Sequence, residues 1–403
     1  MSDGFGISNL PYGSVQRDAS CDPRLCVRLH DDAIELAALD GDLGVDRELI
    51  AAPNLDRLLA ADPDRWRELR RGVQRCVAAG IPPAARIPLD GAVMRLPFTV
   101  SDYVDFYSSL EHASNLGRIF RPDAEPLLPN WRHVPIGYHG RAGTVVVSGT
   151  PIRRPNGQRP AEGGPVFGPT QALDIELELA FVTGGPPTGL GETLGMERAA
   201  DRIFGFVLMN DWSARDIQRW EYVPLGPFLG KSFATSISGW VVALAVLEAY
   251  RVPAREQDPP PLAYLRAGPR WALAIDLQVE LNGEVVSETN ASGLYWTATQ
   301  LLTHAACNGA VIRPGDLFAS GTISGERPGS EGSLIELTRN GERPLSISGQ
   351  PRTFLADGDR VVLRGRAGEV ALGEVSAEIL SAQELPAEIR AAEISSPPAS
   401  SGH

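Results

Sequence analysis

The sequence predicts an α+β protein that is mainly β. Three observations carry this. The 42 glycines and 33 prolines are spread along all 403 residues, as many short elements joined by tight turns require. Segments such as "ALDIELELAFVTG" (172–184) alternate polar and apolar residues with the period of a strand. Two Asn-Gly pairs, Asn282-Gly283 and Asn340-Gly341, stand between strand-like runs where hairpin turns are expected.

The elements follow in chain order. Residues 1 to about 40 read as short strands and turns, with "PRLCVRLHDDAIELAAL" split by Asp31-Asp32. Residues 46–79 change to apolar spacings of three and four, the period of helices, with Pro53 and Pro63 as N-terminal punctuation. A Pro-rich connector, "GIPPAARIPLDGAVMRLPF", places a domain boundary near residue 98. The units are then 1–98, a larger domain over 99–385, and a polar tail over 386–403 expected to be disordered. Beyond residue 98, "GTVVVSGTPIRR", "IFGFVLMND" and "FLADGDRVVLRGR" read as strands, and "RWALAIDLQVELNGEVVSE" and "SLIELTRNGERPLSI" as hairpins. Helices are expected there in "GMERAADRIFG", after Asp211, and in "LYWTATQLLTHAAC".

Bulk properties exclude several classes. With 37 basic against 50 acidic residues the net charge is −13 and no basic cluster stands out, which argues against nucleic-acid binding and anionic membranes. Four dispersed cysteines give neither a CxxC pair nor a disulfide framework, so a reducing cytoplasm is expected. The N-terminus shows no signal peptide, and no run of about 18 apolar residues predicts a membrane span.

Four constellations could carry chemistry. In "LDIELELAF", Asp174, Glu176 and Glu178 share one strand face. Either a hard divalent cation holds them, or the strand is half-exposed with a polar outer face. In "VLMNDWSARDIQRWEY", Asp211 could cap a helix carrying Arg215 and Gln218 on the same face, either gripping an acidic substrate or forming an ordinary ion pair. "VPLGPFLGKSFATS" fails the phosphate-loop spacing, which leaves Lys231 as an anion-binding candidate or a solvent-reaching loop lysine. The histidines show no zinc spacing, and there is no G-x-S-x-G elbow. His112 stands out because "SDYVDFYSSLEHASN" (101–115) is dense in polar groups.

Together "NLPYG", "DYVDFYSSLEHASNLG", "PNWRHVPIGYHGRAGTVVVSGTPIRRPNGQ", "LDIELELAF", "LMNDWSARDIQRWEYVPLGPFLGKSF", "NGAVIRPGDLFASGTISG" and "GSLIELTRNG" resemble the fumarylacetoacetase family, in order, from about residue 7 to about 380. The resemblance implies an N-terminal SH3-like small barrel, a mixed β-sandwich roll after it, and a homodimer. It implies hydrolysis of the carbon–carbon bond of 4-fumarylacetoacetate to fumarate and acetoacetate, the last step of tyrosine and phenylalanine catabolism. Asp105, Glu176, Glu178 and Asp211 match Ca²⁺ ligands, with Mg²⁺ or Mn²⁺ as alternatives. Lys231 and Thr235, with Asp211, match a second cation position, although an ammonium has no lone pair to offer a metal. His112 matches the general base and Glu336 the carboxylate that orients it. Tyr107, Arg121, Gln218, Tyr222 and Thr322 match substrate contacts, with Tyr138 and Arg215 nearby. Arg215, Gln218 and Lys231 would stabilise the oxyanion. The chain departs from the family pattern after "ALGEVSAEIL". Two rival readings are a superfamily enzyme acting on another acylpyruvate or 1,3-diketone, and a non-catalytic relative.

One geometric expectation follows. His112 lies an odd number of residues from Asp105, so an unbroken strand would turn it away; a break near Ser108-Ser109, turning into a helix, would bring it back.

Overall fold

The computed structural model describes residues 3–39, 41–268 and 270–384. The expected tail, 386–403, lies outside the described residues. The architecture is mixed α+β and mainly β.

A 13-stranded sheet forms the spine. Its N-terminal end runs in the order Arg86–Pro88, Asp32–Glu35, Arg24–Leu29, Tyr12–Gln16. It continues through Trp240–Ala243, Ile203–Asp211, Leu177–Thr183, Asp316–Ala319, Asp102–Phe106 and Gly137–His139. The join is antiparallel, Tyr12 opposite Val241 and Gly13 opposite Trp240. The described strand pairings leave the N-terminal sheet open rather than closed into a barrel. A second, five-stranded sheet lies against the long Ile203–Asp211 strand, where Gly365 leaves room for Leu208. One apolar core contains Leu10 and Tyr12 as well as Leu208 and Ile379, so burial is continuous across residue 98.

Local chemistry explains the elements. Pro63 opens the helix Pro63–Ala79 at a position that needs no N–H, and the Asp62 carboxylate accepts from the Asp64 N–H. Asn282 and Gly283 both have positive φ, 53° and 86°, the requirement of a type I′ turn, and they join Asp276–Leu281 to Glu284–Asn290. The second Asn-Gly pair does something else. Residues Leu334–Leu337 form one helical turn, and Arg339, Asn340 and Gly341 pass through left-handed conformations after it. The hairpin expected there is absent because the carbonyls of the turn need a C-terminal cap, and Asn340 N–H donates to Ile335 O.

No helix among the described residues is long and apolar enough to cross a membrane.

Candidate active site

The segment 101–115 builds one edge of the site. Residues Asp102–Phe106 are a strand parallel to Asp316–Ala319, with Asp105 level with Ala319. The strand ends at Phe106 and the helix Leu110–Phe120 begins after Ser109, whose hydroxyl accepts from His112 N–H at 3.2 Å. The break expected near Ser108-Ser109 is therefore present. It brings His112 to the wall of a cleft of about 550 Å³ that Asp105 and Tyr107 also line. Gly321 makes this approach feasible: its φ is +76°, and a Cβ there would stand 2.1 Å from Phe106 O.

On one wall stand four buried carboxylates. Asp105, Glu176, Glu178 and Asp211 each offer an oxygen, all within 4.8 Å of one another. Register places them. Asp105 lies opposite Tyr138, and Asp211 lies opposite Thr235. Tyr138 Oη, with one proton to give, is 3.0 Å from Asp105 Oδ2 and 2.5 Å from Asp211 Oδ2. Thr235 Oγ1 donates to Asp211 Oδ1 at 2.9 Å. Lys231 Nζ donates to Asp211 Oδ2 at 2.7 Å and to Glu176 Oε2. Arg215 donates from Nη1 to Glu176 Oε1 at 2.7 Å and from Nε to Asp174 Oδ2 at 2.8 Å.

The alternation of 174–178 is interrupted, and the interruption sorts the three acids. Leu173–Asp174 and Leu177–Thr183 are separate strands. Asp174 turns to Arg215 and to the N–H groups of Leu334 and Ile335. All three acids are buried, so the half-exposed polar face is excluded. Asp211 is the last residue of its strand, and the helix Arg215–Glu221 starts from Ala214 without a side-chain cap. The expected Asp211 cap and its ion pair with Arg215 are thus replaced by bonds to Tyr138, Thr235 and Lys231. Lys231 is buried in a short helix, not reaching solvent.

The electrostatics are unbalanced. Five carboxylates, Asp174 included, meet two cationic side chains. Burial, then the charges of Asp211 and Glu176, pushes the Asp105 carboxyl well above the usual carboxylate range. Burial and the charge of Asp105 push Glu178 up likewise. Burial opposes ionisation of Glu176 too, but Lys231 and Arg215 outweigh it and hold its carboxyl low. Asp105 Oδ1 and Glu178 Oε1 are buried with no hydrogen-bond partner. Unpaired carboxylate oxygens in a buried site suit a hard divalent cation, and ligands at about 2.4 Å from one Ca²⁺ span up to about 4.8 Å. The residues fit such an ion.

On the other wall, His112 Nδ1 is 2.6 Å from Glu336 Oε2. Glu336 also accepts from Ser333 Oγ (2.6 Å), Ser324 Oγ (2.9 Å) and Asn115 Nδ2 (2.9 Å). Burial disfavours its charge, but His112 and these donors prevail and hold its carboxyl below the usual range. The ring of Tyr107 meets His112 edge-on, centroids 5.4 Å apart.

The cleft brings together Asp105, Tyr107, His112, Arg121, Tyr138, Glu176, Gln218, Tyr222, Lys231 and Thr322. Glu336, Glu178, Asp211, Thr235 and Arg215 stand behind this lining. Gln218 Oε1 accepts from Arg215 Nη1 at 3.2 Å. The sequence reading missed Asn115, Ser324 and Ser333. Two of these carry a usable signal, since Asn115 follows His112 by three positions and Ser333 precedes Glu336 by three, within the reach of one helical turn.

Family models divide the chain in two. Residues 8–97 match "Fumarylacetoacetase N-terminal" and residues 102–379 match "Fumarylacetoacetate (FAA) hydrolase C-terminal". The chain belongs to the fumarylacetoacetase family. It is 44% identical to the fumarylacetoacetase of Rattus norvegicus over 403 residues, covering 93% of this chain and 96% of the relative. It is also 44% identical to those of Homo sapiens and Arabidopsis thaliana, in each case covering 90% of this chain and 91% of the relative. Among solved structures, a fumarylacetoacetate hydrolase from Exiguobacterium antarcticum matches with a TM-score of 0.55 at 16% identity, covering 92% of this chain and 99% of that one. A maleylpyruvate hydrolase from Sphingobium, in complex with manganese(II) and pyruvate, matches with a TM-score of 0.52 at 16% identity, covering 93% and 100%. These distant structures share the fold of the fumarylacetoacetase family.

Proposed function

We propose that the chain hydrolyses the carbon–carbon bond of 4-fumarylacetoacetate to fumarate and acetoacetate, as a hydrolase acting on carbon–carbon bonds in ketonic substances. The relatives named fumarylacetoacetase, matched over nine-tenths of both chains, support the substrate. The observation that carries the reaction is the His112–Glu336 pair facing a four-carboxylate cluster across one cleft.

Glu336 occupies Nδ1 of His112, so Nε2 is the nitrogen free to take a proton from water. The freed oxygen bonds to the ketone carbon, the carbon–carbon bond breaks, and the electron pair leaves as the acetoacetate enolate. A proton returned from His112 Nε2 completes that product. Lys231 Nζ and the Nε2 of Gln218 are donors at the cleft for the developing oxyanion. Arg215 serves from behind by fixing Glu176 and Gln218. Tyr107, Arg121, Tyr222 and Thr322 hold the substrate's terminal carboxylates, and the hydroxyl of Thr322 is buried without a partner of its own. Asp105, Glu176, Glu178 and Asp211 would hold a divalent cation (Ca²⁺, Mg²⁺ or Mn²⁺), which would supply Lewis-acid polarisation of the diketone. Lys231 keeps its proton under the charges of Asp211 and Glu176 despite burial, so its role is electrostatic rather than as a ligand. Thr235 acts by holding Asp211.

The same reading makes the protein a cytoplasmic homodimer of two units meeting near residue 98. Free thiols at Cys21, Cys26, Cys76 and Cys307 support the compartment. Exposed Val223, Leu225, Phe228 and Leu229 beside the cleft support the dimer.

A spectrophotometric assay tests this. Fumarylacetoacetate should be consumed to one fumarate and one acetoacetate, with activity lost on chelation and restored by a divalent cation. Preference for acetylpyruvate would sink the substrate. Full activity in a demonstrably metal-free preparation would reject the cation.

A further inference from the structure

A second cavity of about 640 Å³ adjoins the cleft, and Arg121, Pro126, Leu127 and Leu128 line both. Its own wall carries Ser114, Arg118 and Arg132. Ser114 and Arg118 lie on the helix Leu110–Phe120, and Arg121 is its C-terminal cap residue. The spacings of four and three put all three on one side. Arg132 reaches in from the loop that follows.

The charges here are unusual for this chain. The net charge is −13, yet three guanidinium groups converge on one cavity. Each donates to a neutral oxygen: Arg118 to Asn115 Oδ1, Arg121 to Pro126 O, and Arg132 to Asp258 O. Among the described residues none forms an ion pair with a carboxylate. Nearby Arg255, by contrast, pairs with Glu111 and Glu326. Nε of Arg121 is buried without a partner. Glu125 is the one carboxylate in the lining, so the cavity remains cationic. A guanidinium presents a planar fork that suits a carboxylate, and unneutralised cations at a channel mouth raise the local concentration of anions.

We propose that this cavity is an anion subsite for a dicarboxylate, which Arg118 and Arg132 draw in and pass to Arg121 at the junction with the cleft. The assignment of fumarate as the dicarboxylate rests on the hydrolase reading above. The same subsite would receive the dianionic product as it leaves, while the monoanionic product would gain much less from it.

Isothermal titration calorimetry on the full chain tests the subsite. The probes are fumarate and acetoacetate, each measured at low and high sodium chloride. The expected result is that R118A/R132A weakens fumarate binding about tenfold at low salt, that the difference shrinks at high salt, and that acetoacetate changes less. R118K/R132K keeps the charge but not the planar fork, so its fumarate binding should fall between those of the unmodified chain and R118A/R132A. Equal fumarate binding by the unmodified chain and R118A/R132A would overturn the subsite. So would a lysine pair as weak as the alanine pair, because the loss would then come from damage to the Asp258 loop. Binding needs no turnover, which separates the two proposals. Arginine-dependent fumarate binding in a chain that fails the hydrolysis assay keeps the subsite and rejects the activity. Hydrolysis with arginine-independent binding does the reverse.

Discussion

The two walls of the cleft are built from the same material, buried carboxylates, and finished to different degrees. On the histidine wall every oxygen of Glu336 has a donor: His112, Ser324 and Ser333 for one, Asn115 for the other. On the acidic wall Asp105 Oδ1 and Glu178 Oε1 have none. A satisfied carboxylate is fixed before substrate arrives, which suits the orientation of a base. An unsatisfied cluster stores repulsion that only protons or a cation relieve. Asp174 and Glu178, four residues apart, repeat the contrast within one segment. Asp174 has three backbone donors, the N–H groups of Ile175, Leu334 and Ile335, and Arg215, whereas Glu178 has the single N–H of Gly321.

The largest effect should come from the finished wall. His112→Ala removes the proton acceptor and should lower kcat by about 10²–10⁴. Cation titration should stay near that of the unmodified chain, while the thermal midpoint should fall because the buried Glu336 loses its His112 partner. Near-normal turnover in this variant would show that the wall is structural only.

Asp174→Asn and Glu178→Gln should then part company. Asp174→Asn leaves Arg215 short of a partner in a buried pair, and breaking such a pair costs about 3–5 kcal/mol. Glu178→Gln removes one of several repelling charges, so the metal-free protein should gain stability while cation affinity drops at least about tenfold. Urea unfolding with chelator, set beside calorimetric Ca²⁺ titration, reads both. Equal destabilisation by the two variants would erase the distinction between the acids.

pH should act on the two walls with opposite sign. Asp105 and Glu178 have raised folded values, so above the ordinary carboxylate range the folded chain holds protons that the unfolded chain has lost. Metal-free stability should therefore decline from this cluster as pH rises, and a bound cation should cancel the decline and release protons. Glu336 has a lowered folded value, so its contribution is full above the ordinary range and is lost as pH falls through that lowered value. Melting curves across pH, with chelator and with Ca²⁺, should differ in slope on the alkaline side. Parallel curves would mean that the acidic cluster is already neutralised by something else.

Local signals were legible in the sequence where a residue's own neighbours decide its conformation. The type I′ turn at Asn282-Gly283 and the proline-opened helix at 63 are of this kind. So is the break after Phe106, which needed only the parity of Asp105 and His112. The signals failed where distant partners decide. Asn340-Gly341 looks like the other hairpin, but the helical turn at Leu334–Leu337 is held by Asp174, 160 positions away, and takes the Asn-Gly pair as its exit. Strand periodicity grouped Asp174 with Glu176 and Glu178, yet only Arg215 and the Leu334 backbone reveal that it faces elsewhere. Ser324 carries no such signal, because hydroxyls are common and Glu336 lies 12 residues on, across turns that the sequence does not spell out, whereas Ser333 stands within one helical turn of its partner.

The smallest expected effect probes how complete the finished wall is. Ser333→Ala deletes one of three donors to Glu336 Oε2 and leaves His112 and Ser324 in place. The loss of one hydrogen bond to a charged group is worth about 1.5–3 kcal/mol in a buried site, and the remaining donors should absorb part of it. Stability should fall by about 1 kcal/mol, with turnover reduced by less than about tenfold. Removing Ser324 as well should cost more than twice the single loss, since the carboxylate would then depend on His112 alone for that oxygen. Strict additivity in this double-mutant cycle would mean that the donors act independently and that the wall is less unified than its geometry.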